Sequence, residues 1–197
     1  MANFDIKYST RFDRKSWSVV LNCGEPINLP DGTVLGNFQS SLYRNIEFSG
    51  DHLVIFDIGN NFEVSNEVAD RIRKTWTPVS ELFPDVKEFK GADFYRSPRV
   101  EIGEFAFSLW YFGKGLTGPI HREHDFFELH TQVLGTGEMQ KFGENDQGTM
   151  YERVIMAPGQ THNTFFDRNR TYPWHRYAAI SRSVLLAIES QYPIPKK

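Results

Sequence analysis

The sequence predicts an all-β protein, with a small antiparallel barrel or jelly roll preceded by a strand-rich extension that contains one helix. Short segments rich in β-branched and aromatic residues recur along the chain, and turn-forming residues separate them. Only one stretch has the apolar spacing of an amphipathic helix. A chain of 197 residues is long enough for one well-buried core and is short for two full barrels.

Residues 1–90 are predicted to form an extension that packs on the barrel. The segments SWSVVL, SLYRNIEF and LVIFDI have the composition of strands, and turn-forming residues such as Pro30-Asp31-Gly32 separate them. The predicted helix covers about residues 66–76, because Ser65 or Asn66 can cap its start and apolar residues recur every four positions. These apolar residues are Val68, Ile72 and Trp76.

Residues 91–192 are predicted to form the barrel itself. Strand-like segments follow one another closely here, among them EFAFSLWYF, FELHTQVL, EMQKF, YERVIMA and VLLAIE. Turns at residues 113–118, 143–148 and 158–159 separate them, and this spacing is typical of small antiparallel barrels. Residues 193–197 are expected to form a loose tail.

The bulk composition excludes several classes of partner and compartment. A net charge of −3 gives no electrostatic reason to expect binding to nucleic acid or to an anionic membrane. No apolar run approaches the roughly 20 residues that span a bilayer, and the first residues carry charges where a signal peptide would be apolar. The single cysteine, Cys23, fits a reducing compartment. We therefore expect a cytoplasmic protein.

Histidines cluster in two segments, Gly115–Phe142 and Met156–Phe166, with Glu128 among them. Imidazole nitrogens and a carboxylate oxygen are the donors that a borderline divalent cation such as Fe(II), Mn(II), Ni(II) or Zn(II) requires. The clustering therefore predicts a metal site. Four of the six histidines lie in these segments: His121, His124, His130 and His162.

The strand FELHTQVL places polar side chains on one face. Because successive side chains of a strand point to opposite faces, Glu128, His130 and Gln132 share one face. If this face is inside the barrel, a metal with water or substrate would satisfy the buried polar groups, whose burial is otherwise costly. The alternative is a solvent-facing strand. The other face carries Leu129, Thr131 and Val133.

The first histidine segment resembles the first motif of the cupin family, which runs Gly, five residues, His-x-His, three or four residues, Glu, six residues, Gly. Here Gly115 is followed after five residues by His121, and Glu128 by Gly135 after six. The sequence departs from the motif in one respect, because two residues instead of one separate His121 from His124.

The second segment resembles the second cupin motif, Pro-x-Gly-x-x-His followed four residues later by Asn. This chain retains Gly159-x-x-His162, but Pro158 is adjacent to the glycine, Glu152 stands in place of the leading glycine of the motif, and Phe166 replaces the Asn. The resemblance extends over roughly residues 100–190.

The resemblance implies a cupin-type barrel with one divalent transition metal, Fe(II) favoured and Mn, Ni or Zn possible. Its ligands would be His121, His124, Glu128 and His162. The extra residue between His121 and His124 means that both cannot face inward on a regular strand, so either a bulge restores the geometry or His130 replaces His121. Otherwise His130 is the candidate acid/base or substrate-binding residue.

Four further residues are predicted to line the pocket and bind substrate: Gln132, Arg153, Trp110 and Tyr111. An inward-facing Arg153 would bind a substrate carboxylate or phosphate. Its alternative is a surface ion pair with Glu138 or Glu152. His175 is assigned to a loop that borders the pocket mouth.

We therefore expect a metal-dependent cupin enzyme that acts on a small polar molecule, most favourably as a non-haem Fe(II) dioxygenase. An all-His/Glu site suits Fe(II), and the aromatic residues around it suit a water-poor pocket. The alternatives are a metal-dependent isomerase, epimerase or lyase of a sugar or hydroxy acid, and a non-catalytic small-molecule-binding cupin. A homodimer that pairs through edge strands is also expected.

Overall fold

The computed structural model describes residues 3–122, 126–162 and 172–190. Over these residues the chain is mostly β, which confirms the predicted class. The helices are α1 (Asn66–Thr75) and the single turn α2 (Val79–Leu82), with short 3₁₀ segments at Lys87–Phe89 and Gln147–Thr149. In the described part of the chain, neither helix has the length and apolarity needed to cross a membrane.

The N-terminal region forms a four-stranded antiparallel sheet in the order β1-β6-β2-β5 and a small hairpin of β3 and β4. The strands are β1 (Asn3–Arg14), β2 (Trp17–Asn22), β3 (Ile27–Asn28), β4 (Val34–Leu35), β5 (Ser40–Tyr43) and β6 (Ile46–Gly59).

Helix α1 follows this sheet and matches its prediction. The Ser65 side chain accepts a hydrogen bond from the Val68 amide, so it caps the first turn, and Glu67 lies where the helix dipole favours a negative charge. The helix ends at Thr75 because Thr77–Pro78 begins the next strand. Its buried residues are Val68, Ala69 and Ile72.

The remaining strands form two sheets. The central sheet has the order β11-β15-β10-β8-β7, with β9 also paired to β10, and the third sheet has the order β13-β12-β14. The strands are β7 (Thr77–Pro78), β8 (Phe94–Arg96), β9 (Val100–Ile102), β10 (Phe105–Phe112), β11 (Phe127–Leu134), β12 (Gly137–Phe142), β13 (Met150–Met156), β14 (Trp174–Ala179) and β15 (Ser183–Ser190).

The central sheet is covered on both faces. One face packs against the N-terminal sheet and α1, and it carries apolar residues from alternate positions of β10, β11 and β15. The opposite face packs against the third sheet through a second apolar cluster that includes Phe112, Leu185, Met139 and Tyr177. Strand-paired residues share a face, so this second face carries the predicted polar row of Glu128, His130 and Gln132.

Gly135 lies where the chain leaves the central sheet for the third sheet. Its φ is +70°, and a Cβ at this position would lie 2.0 Å from the carbonyl oxygen of Arg182, so the turn requires glycine. The two sheets face each other as in a jelly roll, and in the described residues they are not joined into one closed barrel.

Candidate metal centre

Two histidines meet at one end of the space between the central and third sheets. His121 and His175 form an antiparallel backbone bridge, with the His121 amide donating to the His175 carbonyl at 3.0 Å and the reverse bond at 2.8 Å. Their ring centroids are 4.3 Å apart. Alternation along β14 points His175 inward together with Tyr177 and Ala179, and its side chain is buried. The bridge therefore fixes both imidazoles by backbone hydrogen bonds.

Both imidazoles contact the carbonyl of a proline two residues earlier in the chain. His121 Nδ1 lies 3.0 Å from the Pro119 oxygen, and His175 Nδ1 lies 3.0 Å from the Pro173 oxygen. A carbonyl oxygen only accepts hydrogen bonds, so each Nδ1 carries a proton, which leaves Nε2 as the ring nitrogen that can bind a metal. This orientation by a second hydrogen bond is typical of metal-binding histidines.

Burial lowers the pKa of His175 to about 2, and the neighbouring His121 adds to the effect, while the Pro173 carbonyl opposes it. His175 is therefore neutral at physiological pH. The neutral imidazole is the form that binds a metal ion, so no proton has to leave this ring on binding.

Glu128 supplies a carboxylate to the same place. Ligand atoms of His121, Glu128 and His175 all lie within 4.8 Å of one another. Among the described residues, these three form the one cluster of side chains that could hold a metal ion. Glu128 projects from β11 and is only 8% exposed. His130 lies next to it on the same face, with its Nε2 3.4 Å from Glu128 Oε1. Two imidazoles and one carboxylate can thus converge on one divalent cation.

The donors lie at the polar end of a cavity of about 530 Å³. Seven of the lining side chains are Phe, Trp or Tyr, and Arg96 and Glu189 add charge. A cavity of this volume suits a small molecule. Its aromatic lining consists of Phe83, Phe89, Phe94, Trp110, Phe112 and Phe126, with Tyr177 at the third sheet.

The structure places two of the four predicted ligands in the donor group. His121 and Glu128 belong to the donor group, and His124 lies outside the described residues. His162 is buried and its amide donates to the His130 carbonyl beside the Thr131–Thr161 bridge, so it shares the site-facing side of β11. However, its Nε2 lies 3.8 Å from Glu152, and it is not part of the donor group.

The assignment of His175 to a loop at the pocket mouth is wrong. It is the second residue of β14 and one of the three grouped donors. Trp174 and His175 belong to this strand because they pair with Phe142 and Lys141 of β12. One signal could have identified His175, because Pro119-Ile120-His121 and Pro173-Trp174-His175 share the pattern Pro-x-His.

Trp110 lines the cavity as predicted, whereas Tyr111 does not. Tyr111 is the neighbour of Trp110 on β10 and therefore points to the opposite face, where its hydroxyl donates to Asp93 at 2.9 Å. Gln132 faces the interior between the sheets, but its amide is already bonded. It accepts from the Tyr177 hydroxyl at 2.9 Å and donates to the Leu134 carbonyl at 2.7 Å.

Arg153 lies on the surface beside Glu138 and does not face inward. Its side chain is 59% exposed and lies 3.7 Å from Glu138, so it does not line the cavity. Its strand, β13, is an edge strand of the third sheet, and Arg153 lies on the outward side of it. The arginine in the cavity wall is Arg96, which no sequence motif indicates.

No protein-family model matches the chain, and no curated protein matches it. Among solved structures it is similar to an RmlC-like cupin protein from Desulfovibrio desulfuricans, with 19% identity, a TM-score of 0.37 and coverage of 50% of this chain and 82% of that chain. A cupin superfamily protein from Desulfitobacterium hafniense has 13% identity and a TM-score of 0.38, covering 49% and 76%. KdgF from Halomonas sp. has 16% identity and a TM-score of 0.40, covering 51% and 81%.

The second half of the described chain forms two facing antiparallel sheets, the arrangement of a jelly roll. Of the residues in the first histidine segment, His121 and Glu128 lie at the donor group, and Gly135 makes the turn between the two sheets. His175 comes from neither motif.

Proposed function

We propose that the protein is a metal-dependent enzyme of cupin type, with Fe(II) as its metal and an oxygenase reaction on a small molecule. The observation that carries this proposal is the grouping of His121, Glu128 and His175 within 4.8 Å. Two histidines and one carboxylate on one side of a metal are the donor set of non-haem Fe(II) oxygenases, because they leave coordination positions for dioxygen and substrate.

The donor chemistry fits such a metal. The neutral His175 and the proline-oriented rings present Nε2 atoms, and Glu128 adds a negative charge in a buried place. When bound, Fe(II) would supply the activation of dioxygen and the binding of substrate oxygen atoms. The cavity wall of phenylalanine and tryptophan side chains would exclude bulk water from the reacting groups.

His130 is the proposed acid/base residue. It lines the cavity, and its Nε2 lies 3.4 Å from Glu128, so it is adjacent to the donor group without being one of its three members. In this position it can take a proton from a bound substrate and hold it at Nε2, with the Glu128 carboxylate stabilising the positive ring.

The experiment that tests the proposal is metal analysis followed by oxygen consumption. Protein purified without chelator or affinity metal, from cells grown with mixed trace metals, is analysed by ICP-MS. The expected result is near-stoichiometric iron and oxygen uptake with one or more small carboxylates, phenols or thiols, abolished by EDTA and restored by Fe(II) alone.

Other outcomes would redirect or reject the proposal. Stoichiometric manganese, nickel or zinc without oxygen uptake would contradict the oxygenase and favour isomerase or lyase chemistry. A chain that binds none of these metals when they are added would contradict the enzyme proposal altogether and leave a small-molecule-binding protein.

A further inference from the structure

Arg96 is the last residue of β8 and lies in the wall of the cavity. It pairs with Trp110 across the strands, and Trp110 pairs with Leu185, which in turn pairs with Gln132. Residues paired in this way share one face of a sheet, so Arg96 lies on the same face as the donor row of β11. Its guanidinium carbon lies 5.4 Å above the centroid of the Trp110 ring.

The guanidinium of Arg96 lies in the cavity wall without an acidic partner in the part of the chain that the structure describes. Among the described residues, no carboxylate lies within ion-pair distance of it and it donates no hydrogen bond to a protein oxygen. Arg73 and Arg99 differ in this respect, because Arg73 pairs with Asp70 and Asp93, and Arg99 pairs with Glu101 and Glu189. A half-buried guanidinium that lies over a tryptophan face in a cavity wall, with no carboxylate beside it among the described residues, is suited to bind an anion from outside the chain.

The position of Arg96 sets the size of that ligand. Three strand spacings separate β8 from β11, which places the two backbones roughly 14 Å apart. The guanidinium lies over Trp110, on the intervening strand β10, and thus extends toward the donors. A ligand with its anionic group at Arg96 and its other end at Glu128 would therefore be on the order of 6–9 Å long.

The cavity also limits the charge of the ligand. Among the described residues that line the cavity, the permanently positive side chain is that of Arg96, and Glu128 and Glu189 contribute two carboxylates. Glu189 is already paired with Arg99, so Arg96 offers one positive charge to a ligand. A monocarboxylate matches this single charge and the planar guanidinium in a bidentate pair. The phenylalanines between the two ends suit an apolar body.

We propose that Arg96 binds the carboxylate of the substrate, and that the substrate class is small monocarboxylates with an aromatic or aliphatic body. This inference rests on the proposed function in so far as it takes the cavity to be the substrate site. The polar group that reacts lies at the end opposite the carboxylate, next to His121, Glu128 and His175.

The test uses a matched pair of probes, 3-phenylpropanoate and its neutral analogue 3-phenylpropanamide. Their binding to the full chain is measured by calorimetry, with tryptophan fluorescence as a second readout because Trp110 lines the cavity. The variants are Arg96→Gln and, as a control that also removes one arginine, Arg153→Gln, whose side chain is exposed and outside the cavity.

The acid is expected to bind the wild type and Arg153→Gln with equal affinity. Its affinity for Arg96→Gln should be lower by about tenfold or more, which is the loss typical of one charge-assisted pair. The amide should bind all three proteins alike. The inference is overturned if Arg96→Gln binds the acid as wild type does, or if the wild type does not prefer the acid, or if its affinity for the acid is weaker than about 10 mM.

This result is independent of the metal. Arg96→Gln should retain the metal content of the wild type, whereas Glu128→Ala should lose it. Arg96-dependent binding of the acid in a chain that binds no metal would support the carboxylate site and reject the enzyme proposal. Normal metal content, together with binding of the acid that does not depend on Arg96, would reject the carboxylate site and leave the enzyme proposal standing.

Discussion

His121 and His175 lie opposite each other on two antiparallel segments, joined by a reciprocal pair of backbone hydrogen bonds, and each ring is oriented by the carbonyl of a proline two residues before it. Two segments that are distant in sequence thus repeat one local arrangement. Its consequence is that both Nε2 atoms are set in position by the backbone before any metal arrives, which lowers the cost of assembling the site.

Replacing His175 should remove metal binding. In His175→Ala one of the three grouped donors is lost. Loss of a residue that only hydrogen-bonds to a metal ligand lowers metal affinity about 10–100-fold, so loss of the ligand itself should lower the affinity for Fe(II) or Mn(II) by more than that. His162→Ala is the matched control, because it removes another buried histidine from the same side of β11. ICP-MS and metal titration measure both. If His162→Ala loses the metal and His175→Ala keeps it, the sequence-predicted ligand is the correct one.

His130→Ala should separate metal binding from activity. His130 lies beside Glu128 but outside the donor group, so the variant should retain its metal while its oxygen uptake falls by about 10²–10⁴-fold, the contribution typical of a general acid or base. The metal content and the pH dependence of activity are measured together. Loss of metal in this variant would show that His130 is itself a ligand.

Asp93→Asn should reduce stability in a pH-dependent way. The Arg73 side chain, hydrogen-bonded to both oxygens of Asp93, lowers the pKa of that carboxyl, and the Tyr111 hydroxyl contributes in the same direction. A carboxyl with a lowered folded-state pKa adds stability above the unfolded value of about 3.9 and loses it as the pH falls through the folded value.

The wild type should therefore be more stable than Asp93→Asn by about 1 kcal/mol at pH 7, a figure that allows for the partial exposure of the pair. The difference should shrink once the pH falls below the unfolded value of about 3.9 and disappear when the pH is below the lowered folded-state pKa as well. Urea unfolding at several pH values measures it. Asp85→Asn, which changes an exposed carboxylate, is the control and should show no such difference. A gap that stays constant from pH 7 to the acid limit would contradict the assigned role of Asp93.

Gly135→Ala should destabilise the fold more than Gly91→Ala does. Both glycines have φ near +70°, so both variants share the backbone cost of about 1 kcal/mol for a left-handed residue. Only Gly135 adds a clash, because its Cβ would lie 2.0 Å from the Arg182 oxygen, while nothing lies within 4 Å of a Cβ at Gly91. The expected extra loss is about 2 kcal/mol or more by chemical unfolding. Equal losses would mean that the turn can shift.

The sequence by itself determined the class of fold and the elements with strong local signals. The helix was predictable because Ser65 caps it and Val68 and Ile72 repeat at helical spacing. The face of β11 that carries Glu128 and His130 was predictable because side chains alternate along any strand. The turn at Gly135 was predictable because only glycine adopts its backbone conformation without strain.

The tertiary structure decided which of these residues meet. Whether His162 or His175 joins Glu128 depends on how the third sheet packs on the central one, and no local spacing encodes that packing. The same holds for the arginines, since Arg153 lies on an edge strand facing out and Arg96 on a paired strand facing in. Local sequence fixes the alternation of side chains along a strand, while the pairing of strands and the packing of sheets bring the donors of a site together.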